Sequence, residues 1–264
     1  LVNISLFVPL LCGLVAAWLI NYLADVLPHT LRLSQPACPN PDCKQPLAWQ
    51  DYLLLRGCRS CGRRRSLRTS LVIVFMLAAA FYLWFDPPSA LGVWAGMAAF
   101  TYFILVALID LEHRLILRPV SIVGLLLCTG AGLLMRDWKS TLFGLLGGFA
   151  IMMVFYLVGM IFTRLRARRL GQDPHEAEEA FGSGDVTLGS LLGLFLGWPL
   201  IWYDILLGLL LYGAISLVIV VALAVVNRYK GQAWMIFLPL GPGFILVGLL
   251  MIYLPNLLIA VVPK

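Results

Sequence analysis

Ala90-Leu-Gly-Val-Trp-Ala-Gly-Met-Ala-Ala-Phe-Thr-Tyr-Phe-Ile-Leu-Val-Ala-Leu-Ile-Asp110 runs for twenty uncharged residues and closes on an acid. A helix of that length crosses the hydrocarbon core of a bilayer. A carboxylate at membrane depth is expensive, so its presence at the end of such a run points to function. A second acid, Asp185, opens another apolar run in Phe181-Gly-Ser-Gly-Asp185-Val-Thr-Leu188.

Runs like the first recur along the whole chain. Of 264 residues, 61% are hydrophobic and only 12% charged, with a mean hydropathy of +0.94. A soluble domain would carry about 25% charged residues. We read eight candidate spans, at about 4–27, 69–86, 90–110, 115–135, 141–163, 186–203, 205–227 and 235–254. Continuous apolar runs predict helices, because a membrane barrel alternates and lipid offers no partner to an unpaired backbone group. The expected fold is an all-α polytopic membrane protein of about eight transmembrane helices. The first run has no basic segment ahead of it and no small-residue cleavage site after it, so no cleavable signal peptide is expected.

Charge orients the helices. Of 19 Lys and Arg, sixteen fall in the odd-numbered loops and three elsewhere, at Arg136, Lys139 and Lys264. The first loop alone holds Arg32, Lys44, Arg56, Arg59, Arg63, Arg64, Arg65 and Arg68. The positive-inside rule makes the odd loops cytoplasmic and both termini external. The net charge of +6 then reflects topology. Its expected partner is the lipid bilayer, with no nucleic acid. Asp110 and Asp185 both fall at cytoplasmic span ends.

Each aspartate has a plainer reading. Asp110 fits a solvated loop continuing through Glu112, His113 and Arg114, and Asp185 fits an N-cap for a helix starting at Val186. Together they suit a catalytic pair. Gly182 and Gly184 ahead of Asp185 allow a sharp turn and close helix approach. Two neighbouring carboxylates cannot both ionise easily, so the pair holds one proton. The ionised member takes a proton from water and the protonated member polarises a carbonyl. That is peptide hydrolysis without a covalent enzyme intermediate. Neither Gly-x-Ser-x-Gly nor His-Glu-x-x-His competes.

Cysteines form the second cluster. Cys38-x4-Cys43 and Cys58-x2-Cys61 lie in the first cytoplasmic loop. Two spaced thiol pairs in a reducing compartment predict structural zinc on four thiolates, with no open catalytic position. Disulfides or metal-free thiols are the alternatives. Pro39, Pro41, Gly57 and Gly62 suit the turns of metal knuckles. Cys12 and Cys128 read as apolar packing residues. The expected organisation is a first helix at 1–27, a zinc-binding cytoplasmic loop at 28–68, and a seven-helix membrane aspartic protease core at 69–264.

The chain resembles the prepilin peptidases, membrane aspartic proteases of the Gly-x-Gly-Asp type. The resemblance rests on Asn21-Tyr-Leu-Ala-Asp-Val-Leu-Pro28 and on Leu53-Leu-Leu-Arg-Gly-Cys-Arg-Ser-Cys-Gly62. It continues through Ile109-Asp110-Leu-Glu-His-Arg, Gly182-Ser-Gly-Asp185 and Leu238-Pro-Leu-Gly-Pro-Gly243. It implies a protein of the bacterial inner membrane that cuts the basic leader from type IV prepilins or type II secretion pseudopilins, after a glycine at the cytoplasmic face. It also implies N-methylation of the new N-terminus with S-adenosylmethionine in many members. Three positions depart from the family pattern: Thr187 stands where a lysine is usual, Ile73 where a glutamate is, and Val26 where an arginine is. These departures bear on methylation and substrate choice and leave both aspartates in place.

Other features have softer readings. Asp173, Glu176, Glu178 and Glu179 form a solvated loop or steer a basic leader. Leu47 to Leu55, with Trp49 and Tyr52, lies on the membrane surface or packs the cysteine loop. Pro239, Gly241 and Pro242 kink the last span or line a cavity. Gly144, Gly147 and Gly148 suggest close helix packing. His113 and His175 read as loop residues, and Trp138, Trp198 and Trp202 as interfacial anchors. Two other functions are weighed against the peptidase. One is a signal-peptide-peptidase-like protease cutting within a transmembrane segment, which would not need the cysteine loop. The other is a proton-coupled transporter whose aspartates relay protons. A methyltransferase alone is disfavoured, because no glycine-rich strand–turn–helix is visible.

Overall fold

A computed structural model describes residues 2–38, 43, 45–62, 64–170, 182–225 and 239–258. Apart from an isolated bridge between Ala37 and Pro46, its regular elements are helices. They are α1 (Val2–Thr30), α2 (Trp49–Leu53), α3 (Leu67–Phe85), α4 (Gly92–His113), α5 (Arg118–Met135), α6 (Trp138–Leu170), α7 (Ser183–Leu196), α8 (Leu200–Val225), α9 (Gly241–Tyr253) and α10 (Pro255–Leu258). Six of them, α1, α3, α4, α5, α6 and α8, are long and apolar enough to cross a membrane. The all-helical membrane architecture expected from the sequence is therefore present.

Two of the eight expected spans differ. Helices α7 and α9 have 14 and 13 residues, or about 20 Å of rise against a core of about 30 Å. The run read as 186–203 is not one helix. It starts earlier, at Ser183, and stops at Leu196, where Gly197 takes φ 70° and Pro199 follows. Glycine adopts that left-handed backbone without a Cβ clash, and proline cannot continue a helix from behind. Helix α8 then begins at Leu200, ahead of the expected 205. The expected start of the last span at 235 lies outside the described residues.

The chain divides into two compact units, Leu1–Pro119 and Val120–Lys264. In the first, α1, α3 and α4 pack together. Gly13 of α1 lies against Met76, Leu77 and Ala80 of α3. The buried stripe of α4 runs through Gly96, Ala99, Phe103, Val106 and Asp110, at the three-to-four spacing of one helix face.

In the second unit α6 and α7 meet backbone to backbone. A Cβ on Gly144 would overlap the Gly193 carbonyl, one on Gly193 the Gly144 carbonyl, and one on Gly148 the Gly189 carbonyl. Two four-residue glycine spacings face each other, the arrangement by which membrane helices gain contact where no hydrophobic drive separates them from lipid. The close packing expected of Gly144, Gly147 and Gly148 is realised, with Gly147 against the Trp198 ring. Trp138, Trp198 and Trp202 are all exposed near helix ends, as interfacial anchors require. Ser140 ties the first turn of α6 to this corner, accepting from Trp198 N–H at 3.0 Å and donating to its carbonyl at 2.9 Å.

Gly148→Val should therefore destabilise the protein by about 3 kcal/mol or more, because rigid backbone must move. Gly130→Ala, which meets nothing within 4 Å, should be neutral or slightly stabilising. Thermal unfolding in detergent compares the two.

Candidate active site and cysteine cluster

Asp110 is not a loop residue. Helix α4 continues past it to His113, and Arg114 in the left-handed conformation ends the helix by donating its N–H to the Asp110 carbonyl at 2.9 Å. Its place on the buried stripe leaves Asp110 5% exposed. The carboxyl group thus lies on the packed face of the helix, one turn from its end.

Asp185 belongs to the second unit, in the first turn of α7, and is half-buried. The helix begins at Ser183, so Asp185 stands at the third helical position and not at the cap itself. Its Oδ2 accepts the Gly182 N–H at 3.0 Å, the half of a capping box that an N3 acid supplies. Gly182 has no side chain to return the second half. Gly182 has φ −88° and ψ 156°, an extended backbone that most residues can adopt. A Cβ at Gly182 would meet only ordinary contacts; the chain leading into this position lies outside the described residues. Thr187 donates its hydroxyl to the Ser183 carbonyl at 3.3 Å.

The loop between α1 and α3 brings Cys38, Cys43, Cys58 and Cys61 together, with all four sulfurs within 4.8 Å of one another. Cys38 and Cys61 are 3.5 Å apart and Cys43 and Cys58 3.8 Å. Four thiolates about 2.3 Å from one ion would stand roughly 3.8 Å apart at the corners of a tetrahedron. These separations exceed a disulfide bond of about 2.05 Å, and all four are free cysteines. The cluster could hold a metal ion. Backbone N–H groups of Cys61, and then Ser60, pull the Cys58 thiol down to a pKa of about 6, while the Cys43 thiol lies above its ordinary value. Cys12 and Cys128 lie in α1 and α5.

A small apolar core seats the loop on α1. Cys38, Leu47, Tyr52 and Cys58 are buried together, with Tyr22 of α1 against them. Trp49 packs on Tyr22 at 5.2 Å between ring centroids. Of the two readings of residues 47–55, Leu47 and Tyr52 satisfy the packing one, while Trp49, Leu53 and Leu54 remain exposed. Asp51 is buried and held by Arg59 at 2.7 Å, with Arg56 at 3.9 Å.

Two sets of charged residues escaped the sequence reading. At the ends of α1, α3 and α4, Asp25 accepts from Tyr52 Oη at 2.7 Å and from Arg65 at 3.2 Å, and pairs with Arg68. Arg68 also reaches Glu112 at 2.5 Å. The Arg65 guanidinium lies 4.0 Å over the Tyr52 ring. Burial and the Asp25 charge raise the Tyr52 phenol well above its ordinary value. Partners some forty residues apart give no local signal. Val26, where the family pattern expects arginine, is buried; Arg65 and Arg68 supply guanidinium groups beside its neighbour. The other residue is Asp204 of α8, 0% exposed, with neither carboxylate oxygen hydrogen-bonded among the described residues. Its Oδ1 would lie 3.3 Å from a Cβ on Gly248 of α9. An acid just beyond the Gly197-Trp198-Pro199 break was the available signal. The expected gap between the sixth and seventh spans fell on it and hid its burial. The acids at 173, 176, 178 and 179, and His175, Pro39, Pro41 and Leu238, lie outside the described residues.

Residues 97–223 match the model of the type IV leader peptidase family, and both aspartates fall inside that match. A Myxococcus xanthus (strain DK1622) protein named prepilin leader peptidase/N-methyltransferase is 26% identical over 219 residues, covering 77% of this chain and 58% of that protein. A Klebsiella pneumoniae protein of the same name is 27% identical over 193 residues, covering 67% and 76%. The chain thus spans less than two thirds of the Myxococcus relative's length. No solved structure matches.

Proposed function

Because residues 97–223 match the model of the type IV leader peptidase family, we propose that this chain is a membrane aspartic endopeptidase of that family with Asp110 and Asp185 as its catalytic pair. The observation that carries this reading is their placement. Each acid stands within a turn of a helix end inside the matched region, Asp110 on the packed face of α4 and Asp185 in the first turn of α7. The proposed substrate is a prepilin or pseudopilin, cut after a glycine at the cytoplasmic face of a bacterial inner membrane. Both termini lie outside, as the distribution of arginines implies.

In this mechanism the two carboxyls hold one proton between them. The ionised one accepts a proton from a water as its oxygen adds to the scissile carbonyl carbon. The protonated one donates a hydrogen bond to the carbonyl oxygen, where charge develops. The proton taken from water then passes to the leaving amine as the C–N bond breaks. The pair titrates as a unit, so base and acid are roles of the dyad. The cysteine loop is a structural insertion, and we assign its four thiolates to zinc, which at four protein ligands has no catalytic opening. S-Adenosylmethionine finds less support. Ile73 offers no charge where the family has glutamate, and the Thr187 hydroxyl is committed to a backbone carbonyl. We propose the peptidase step alone.

Asp110→Asn and Asp185→Asn should each reduce cleavage of a co-expressed prepilin by about a hundredfold or more. Both should leave the protein folded, since an asparagine at 185 still accepts the Gly182 N–H. Mass spectrometry of the prepilin N-terminus reads the cut, its site and any methylation. Full processing by either variant contradicts the pair, and a cut inside the transmembrane segment contradicts the substrate class.

Purified protein should contain about one equivalent of zinc, lost in Cys58→Ser. Four thiolates must be free of protons to hold the ion, and the Cys58 thiol is held below its ordinary value while the Cys43 thiol is held above it. Zinc uptake by stripped protein should therefore weaken as pH falls and the thiolates are protonated. A folded, metal-free preparation that takes up no zinc at neutral pH refutes the assignment.

A further inference from the structure

A cavity of about 450 Å³ opens at the start of α3, walled by Arg64, Arg65, Arg68, Asp25 and Glu112. Three guanidinium groups meet two carboxylates there, leaving one positive charge in excess. Arg65 and Arg68 engage the acids through their terminal nitrogens. The Nε of each is buried with no hydrogen-bond partner, and the Arg65 side chain is only 9% exposed. Arg64 is exposed and forms no ion pair among the described residues. Ser66 and Thr69, at the first turn of α3, also line the cavity, so the positive end of a 19-residue helix points at the same space.

Beside the cavity, α3 carries an exposed apolar face, on which Phe75 stacks at its edge against Phe100 of α4 at 5.9 Å between ring centroids. Leu67, Leu71, Val74 and Phe75 are 83%, 69%, 66% and 50% exposed, and their spacing aligns them along one side of the helix. A small soluble anion would use the arginines and leave this stripe bare. An amphiphile uses both.

We propose that this cavity and stripe bind one anionic phospholipid. Its phosphate lies among Arg64, Arg65 and Arg68, and an acyl chain runs along Leu67, Leu71, Val74 and Phe75. Asp25 and Glu112 are already paired, so the excess charge selects an anionic headgroup over a zwitterionic one. The inference does not rest on the peptidase reading. It does fit a cavity at the cytoplasmic surface, where anionic lipid attracts basic side chains.

The test is native mass spectrometry of the full chain in detergent, titrated with phosphatidylglycerol, phosphatidylcholine or inorganic phosphate. One phosphatidylglycerol should bind about tenfold more tightly than phosphatidylcholine. Arg64→Gln, an exposed position outside the catalytic pair, should weaken it about fivefold. Leu71→Gln should weaken it as well, and Arg32→Gln, outside the cavity, should not. Equal binding of both lipids overturns the proposal. So does a loss in Arg32→Gln as large as in Arg64→Gln, which would mean diffuse charge. Displacement by millimolar phosphate, with Leu71→Gln unaffected, assigns the cavity to a soluble anion and also overturns it.

Discussion

A carboxyl group buried in an apolar helical protein must be bonded, paired or used, because nothing around it replaces water. That constraint explains the settings of Asp51, Asp25 and Asp185, with Asp204 of α8 the exception among the described residues. Asp51 is gripped by Arg59. Asp25 collects a phenol and two guanidinium groups. Asp185 takes a backbone N–H at a helix start. Asp110 stands on the packed stripe of α4, where an ordinary membrane helix would carry a leucine. Each acid marks a place where the fold does more than fill space.

The helices position these groups through two kinds of contact. Backbone against backbone, at facing glycines, fixes α6 on α7 and so fixes the helix whose first turn bears Asp185. In the first unit, an ionic chain does comparable work at the ends of the helices. Tyr52 ties the cysteine loop to Asp25, Asp25 ties α1 to Arg65 and Arg68, and Arg68 ties α3 to Glu112, two residues beyond Asp110. The cysteine loop is thus linked through side chains to the end of α4.

The parts of this architecture with local signals were legible in the sequence. Uncharged runs fixed the helical membrane class, Cys-x4-Cys and Cys-x2-Cys fixed the thiol cluster, and the glycines of α6 announced close packing. What escaped was non-local or concealed by a boundary. The Asp25–Arg68–Glu112 chain joins three helices and has no periodicity to betray it. The break at Gly197 was placed too late, because Trp198 to Ile201 is as apolar as the helix before it. Backbone geometry ended the helix there, and the displaced boundary disguised Asp204. Asp185 does capping work through the Gly182 N–H, as the plainer reading of that residue expected, but from the third helical position.

Catalysis by the proposed pair requires the Asp110 and Asp185 carboxyls to come close enough to share a proton. The most direct measurement is cross-linking of the D110C/D185C variant in native membranes, in a background lacking Cys12 and Cys128. Rapid oxidative closure is expected, since a disulfide needs Cα atoms within about 7 Å. No closure is expected when either position is left as aspartate. If both thiols react readily with a monofunctional reagent yet join neither under oxidation nor with a short bifunctional maleimide, the dyad is contradicted.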